Sequence, residues 1–129
     1  MPPEARVLIA EDDPMILKDM KDRLVEAGHM VVSEATTLNE ARAMISRIQR
    51  LEEQHSRDKV VFVLGGNLGG WLRPDHPQND SQILLRELRD AGLGDIKTVG
   101  YSGNEIPGVT LDVGKQKGSE ELAEAITNL

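Results

Sequence analysis

Apolar and polar positions along this chain follow two alternating periods. Val7 to Ala10 is a short apolar run that ends abruptly in Glu11-Asp12-Asp13-Pro14, the pattern of a buried strand delivered straight into a helix start. Asp13 suits the N-cap and Pro14 the first helical position. Ile16, Leu17, Met20, Leu24 and Ala27 then recur at helical spacing, and Gly28 stands where a left-handed residue would stop the helix. Met30 to Ser33 predicts a second strand. Thr37-Leu-Asn-Glu40 has the order of a capping box ahead of Ala41, Met44, Ile45, Ile48 and Leu51. That second helix continues into a polar extension running to Arg57. Val60 to Leu64 is apolar at every position, which predicts a central strand buried on both faces.

Gly65 to Asp80 breaks the pattern. Glycines and prolines mixed with Asn67, Trp71, Arg73, His76 and Asn79 leave neither period intact, so a long ordered loop is expected. Ile83, Leu84, Leu85 and Leu88 mark a third helix ending near Gly92, Lys97 to Tyr101 a fourth strand, and Val109 to Val113 a fifth. Ser119-Glu-Glu121 reads as the cap of a last helix carrying Leu122, Ala123, Ile126 and Leu129. Strands alternating with helices predict an α/β fold with a five-stranded parallel sheet, doubly wound, forming one domain over residues 1–129.

Composition narrows the function classes. Hydrophobic residues make up 39% of 129 positions, with one Trp, one Tyr and one Phe, so the core is aliphatic and aromatic platforms for single-stranded nucleic acid are absent. A net charge of -7 argues against a phosphate-backbone footprint. No cysteine is present for a disulfide, a thiolate metal site or a Cys nucleophile. Met1 opens onto Pro-Pro-Glu instead of a signal-peptide pattern, and no apolar run approaches spanning length. A cytoplasmic protein with neither membrane nor nucleic acid as partner is expected.

In a doubly wound sheet, sites form beyond the carboxyl ends of the strands. Those positions are Glu11, Asp12 and Asp13 after the first strand, Gly65 to Asn67 after the third, Ser102 after the fourth and Lys115 after the fifth. Acids suit a hard cation such as Mg²⁺, and a hydroxyl with an ammonium suits phosphoryl oxygens. Here the chain resembles the receiver domain of two-component response regulators, over essentially its whole length. Val7-Leu-Ile-Ala-Glu-Asp-Asp-Pro14 resembles that family's first strand and acid pair, and Val60-Val-Phe-Val-Leu-Gly-Gly-Asn-Leu68 its third strand. The resemblance implies a flavodoxin-like fold and a rim in which Glu11 and Asp12 match the metal-binding acids, Ser102 the phosphoryl-contacting hydroxyl and Lys115 the family's lysine.

Gly65 falls where that family carries its phosphoacceptor aspartate. A glycine has no side chain to phosphorylate. Asp112 stands where receivers usually place an aromatic, and Gln116 where a proline usually follows the lysine. Only twelve residues, including Gly103, Pro107 and Gly108, separate Ser102 from Lys115, whereas a helix with its connections and a strand start needs roughly twenty. The fourth helix, the one between the fourth and fifth strands, is therefore expected to be short or absent.

Each feature has a plainer reading beside it. Glu11-Asp12-Asp13 also reads as acids at a helix N-terminus, leaving only a vestigial metal site, and Lys115 as their static ion-pair partner. His76, with Asp75 and Asp80, is loop polarity rather than a ligand set. Trp71, with Leu72, Arg73 and His76 around it, either covers the sheet edge or anchors a partner. Gly65-Gly-Asn-Leu-Gly-Gly70 lacks the Lys-Ser/Thr of a P-loop. Two functions are open. One is a non-enzymatic, phosphorylation-independent pseudo-receiver that binds a protein in a signalling pathway without a cofactor. The other is a receiver-like sensor taking a small ligand or cation in space left by the missing carboxylate, between Ser102, Lys115 and glycine amides. An enzyme using the acid cluster lacks a convincing nucleophile or general base.

Overall fold

The computed structural model describes residues 5–54, 59–65, 80–93, 96–103 and 106–129. Among them, five strands and four α-helices follow the expected alternation: β1 (Arg6–Ala10), α1 (Pro14–Glu26), β2 (Met30–Ala35), α2 (Leu38–Gln54), β3 (Val60–Leu64), α3 (Asp80–Asp90), β4 (Lys97–Gly100), β5 (Leu111–Asp112) and α4 (Gly118–Thr127), with a 3-10 turn at Lys115–Lys117 before α4. Every strand pair is parallel and the sheet order is β2-β1-β3-β4-β5. The order reverses between β1 and β3, so the crevice favoured for ligands in open α/β sheets lies at the ends of those two strands.

Strand alternation sorts side chains onto two cores. Leu8, Ala10, Phe62 and Leu64 point to one, with Met44 and Ile48 of α2 and Leu84 and Leu88 of α3. Val7, Ile9, Val61 and Val63 point to the other, with Leu17, Met20 and Leu24 of α1 and Leu122 and Ile126 of α4. This period-two division is why β1 and β3 read as continuous apolar runs: both faces of the same strand are covered. Phe62, Leu8 and Ile9 are fully buried.

Local signals hold the helices in place. The Asp13 carboxylate accepts the Met15 N–H at 2.9 Å and that of Ile16 at 3.4 Å, with Pro14 opening the helix. Gly28 ends the turn at φ +91, a conformation costly for any residue with a Cβ. The second helix opens on a variant of the expected box. Thr37 Oγ1 accepts the Glu40 N–H at 3.2 Å, but the Glu40 carboxylate turns back to Thr36, accepting its N–H at 2.8 Å and its hydroxyl at 3.0 Å.

Three expectations change. Strand β5 is two residues, not Val109 to Val113, because Thr110 bonds through its side chain: the N–H groups of Thr98 and Thr110 each donate to the other's hydroxyl at 3.0 Å. Ser119 is not the cap of the last helix. It sits within α4, buried, and donates its hydroxyl to Asp19 of α1 at 2.7 Å. Strand β2 runs on to Ala35, with a bulge opposite Val7 and Leu8. The loop expected at Gly65 to Asp80 lies, from residue 66 to 79, outside the described residues, as does the polar extension from 55 to 57. No helix among the described residues is long and apolar enough to cross a membrane.

Between β4 and β5 ten residues, 101–110, make the whole crossover. Parallel neighbours usually need a dozen or more, commonly a helix. Among the described residues of this segment there is a turn at Pro107-Gly108 and no helix, as the short spacing predicts.

Candidate functional site

Backbone hydrogen bonds link the strand ends beyond the sheet ladder and so fix the rim. Glu11 N–H donates to Ala35 O at 2.9 Å, Gly65 N–H to Ala10 O at 2.8 Å, Tyr101 N–H to Leu64 O at 2.8 Å and Lys115 N–H to Ser102 O at 2.9 Å. Four of the positions read from the sequence, Glu11, Gly65, Ser102 and Lys115, are therefore carried by one rigid edge.

At its centre is a buried ion pair. Glu11 is fully buried, and its Oε1 accepts from Lys115 Nζ at 2.8 Å and, more weakly, from the Asp13 N–H at 3.4 Å. Its Oε2 is buried with no hydrogen-bond partner among the described residues. Burial pushes the Glu11 carboxyl above the usual carboxylate range. The hydrogen bond and charge of Lys115 pull it back down, while Asp12 adds to the rise. Lys115 keeps about a quarter of its side chain exposed, so the pair is a buried acid reached by a cation from the surface. The nearby Tyr101 hydroxyl is also raised, first by burial and then by the charges of Asp19 and Glu11.

Gly65 is where this geometry departs most from the sequence expectation. The space beside it is occupied. A Cβ built at Gly65 would collide with Glu11 Oε2 and lie 2.8 Å from the Ala10 carbonyl oxygen. The missing side chain has left no vacancy between Ser102, Lys115 and the glycine backbone, because the Glu11 carboxylate fills it. An anion there would have to displace a carboxylate and compete with it for the same lysine.

These donors do not fit Mg²⁺. The ion asks for oxygens in near-octahedral array, but Lys115 already holds one Glu11 oxygen and the third strand supplies no acid. Asp12 is half-buried at the helix start, and among the described residues no three His, Asp or Glu side chains come together.

Ser102 reaches Lys115 through its backbone carbonyl. With Gly103, Asp112, Gly114, Gln116 and Lys117 it lines an open cleft of about 300 Å³. Asp112, in the place expected for an aromatic, accepts the Ile106 N–H on Oδ2 at 2.8 Å and packs 3.1 Å from the position of a Cβ on Gly100. It thereby pins the short crossover to the end of β5. Sequence reasoning treated Asp112 only as a missing aromatic. The nearest available signal was an acid two residues past a lone Thr110, within a segment too short for a helix. Trp71, Leu72, Arg73 and His76 lie outside the described residues. His29, which carried no weight in the sequence, is buried with Nε2 3.0 Å from Thr127 Oγ1, tying the end of α4 to the start of β2.

No family model matches the sequence and no curated protein matches it. Among solved structures, the chain superposes on the signal receiver domain of the putative response regulator NarL from Mycobacterium tuberculosis with a TM-score of 0.69 at 19% identity, covering 98% of this chain and 96% of that one. A CheY-like response regulator receiver domain protein from Methanospirillum hungatei gives 0.66 at 22% identity over 96% and 91%. A response regulator receiver domain protein from Clostridium thermocellum gives 0.63 at 18% over 96% and 92%. At these identities the likeness is one of fold: the chain has the five-stranded receiver architecture.

Proposed function

We propose that this chain is a pseudo-receiver, a non-catalytic module of two-component signalling that works in the cytoplasm by binding another protein and does not depend on phosphorylation or a cofactor. One observation carries the reading: the Glu11 carboxylate lies over Gly65 and is held by Lys115. The position that would accept a phosphoryl group has no nucleophile, and the lysine that would meet phosphoryl oxygen already has an anion of its own. The receiver fold supports the signalling context. The acidic net charge supports a protein partner over nucleic acid.

Incubation with acetyl phosphate and Mg²⁺ followed by intact-mass measurement tests this directly. No phosphoryl adduct is expected. A stable adduct that maps to an aspartate, Asp12 and Asp13 being the first to check, would sink the proposal.

A second reading, sensing of a small ligand, draws support from the open cleft beside Ser102 and Lys117, not from the space at Gly65. Thermal-shift screening against phosphate, nucleotides and Mg²⁺ separates the two, since a ligand selective for the folded state raises the melting temperature. A flat response to all three leaves the interaction module.

A further inference from the structure

Two kinds of methionine occur among the described residues. Met20 and Met44 are buried in the cores, whereas Met15 is 82% exposed and Met30 47%. Exposure lets peroxide reach the second kind, the ordinary route to methionine sulfoxide. The two exposed thioethers differ in what meets the sulfur. The Met15 side chain makes no hydrogen bond among the described residues, while Met30 Sδ accepts one from Arg6 Nη1 at 3.3 Å.

Main-chain pairing sets up this contact. Arg6 and Met30 open β1 and β2 and are partners in the parallel register, and the Met30 N–H donates to Ala5 O at 2.9 Å. The sheet ladder therefore holds both side chains at one level, and β2, as the outermost strand, leaves Met30 open on its far side. A thioether is a weak acceptor for a guanidinium N–H. An oxygen in its place would make a charge-assisted hydrogen bond, about twice as strong as a neutral one.

We infer that Met30 is a methionine-sulfoxide site whose oxidised form Arg6 holds. A sulfur lone pair attacks one oxygen of hydrogen peroxide; the S–O bond forms as the O–O bond breaks, and the other oxygen leaves as water after proton transfer. Sulfur loses two electrons and the peroxide gains them. The new oxygen accepts the guanidinium N–H that now meets sulfur, so no further donor is asked of Arg6. Sulfoxidation usually disrupts methionine packing, but a half-exposed side chain has little packing to lose, and here it gains a strong acceptor. Oxidation thus tightens the start of the β1–β2 pair and leaves a dipolar group on the edge strand. This site goes beyond the interaction-module reading and does not rest on it.

The test treats the full chain carrying Met15→Leu with hydrogen peroxide, locates the added oxygen by peptide mass and compares melting temperatures. Met30 is expected to take oxygen at doses that leave Met20 and Met44 intact, with a melting temperature unchanged or raised by about 1–3 °C. With Arg6→Leu added, the same oxygen is expected to lower it by about 2 °C or more. If Arg6→Leu fails to fold, Met30→Gln set against Met30→Leu with Arg6 in place reads the same contact without an oxidant: Gln, which offers a carbonyl oxygen, is expected to melt no lower. Met30 remaining a thioether while the buried methionines oxidise, an equal temperature change with and without Arg6, or a lower melting temperature for Met30→Gln than for Met30→Leu would each overturn the assignment.

Discussion

If the Glu11 carboxylate fills the space of a side chain at position 65, adding one methyl group there must be felt, and felt through Glu11. In Gly65→Ala the new Cβ collides with Glu11 Oε2 and lies 2.8 Å from the Ala10 carbonyl oxygen. Gly65 is not in the left-handed region, so the cost is packing and not backbone strain. Overpacking of a tight site costs about 1–3 kcal/mol, and contact with a main-chain oxygen as well as a side chain places this substitution toward the upper end, about 2–3 kcal/mol. Glu11→Ala alone removes the Lys115 pair but also removes a buried, unpartnered oxygen. Because Lys115 reaches solvent, its lost partner costs less than the ~3–5 kcal/mol of a fully buried broken pair, and a net loss of about 1–2 kcal/mol is expected.

The double variant discriminates. With Glu11 shortened, the methyl at position 65 enters space the carboxylate has left, so the two effects must not add. Urea unfolding of the four proteins, with matched slopes to confirm a common two-state transition, is expected to give a double variant about 1–2 kcal/mol more stable than the sum of the singles, within the range seen for contacting residues. Additivity to within about 0.5 kcal/mol would refute the claim that Glu11 occupies this place.

Three further outcomes follow from the same contacts. Asp112→Ala leaves the Ile106 N–H without its acceptor and is expected to cost about 1–3 kcal/mol, with faster amide exchange at Ile106; unchanged protection there would remove Asp112 from its pinning role. Asp13→Ala removes the N-cap of α1 and is expected to cost about 1 kcal/mol, while Asp13→Ser restores most of it. Because burial raises the Glu11 carboxyl in the folded state, its contribution is fully present below the unfolded value near 4.5 and is lost as pH rises through the folded value. The stability of wild type relative to Glu11→Gln should therefore fall as pH increases above about 4.5, and a flat or rising difference would contradict that sign.

What the sequence carried well was whatever one segment encodes for itself. The strand-to-helix junction at Ala10 to Pro14, the doubly buried β3 and the stop at Gly28 are local patterns, and the structure realises them. The shortened β4–β5 crossover was legible from the twelve positions between Ser102 and Lys115, because chain length limits what can be built. The content of the pocket was not. A glycine in place of an aspartate reads as a vacancy until β1 and β3 are aligned side by side, and only then is it evident that Glu11, one step past β1, reaches the same point. Ser119 looked like a cap because it precedes two glutamates, but its bond to Asp19 spans 100 positions. The exchange between Thr98 and Thr110 is likewise invisible to any pattern of apolar residues.

These contacts share a direction. Lys115 sits one turn before α4, its backbone is tied to Ser102 and its ammonium to Glu11, so β1, β4 and the turn that leads into α4 meet through one residue. Asp112 fixes the crossover from the other side of the sheet end. A switch at this rim would need Lys115 and the Ser102 hydroxyl to change partners between states, because a ligand shifts an equilibrium only through its differential affinity for the two states. With the Glu11 carboxylate already supplied by the chain, an incoming phosphoryl group offers Lys115 one anion in exchange for another, and the difference between states that would drive a change is small. On the proposed pseudo-receiver reading the rim is a fixed strut, and recognition by a surface away from it does not require the rim to move.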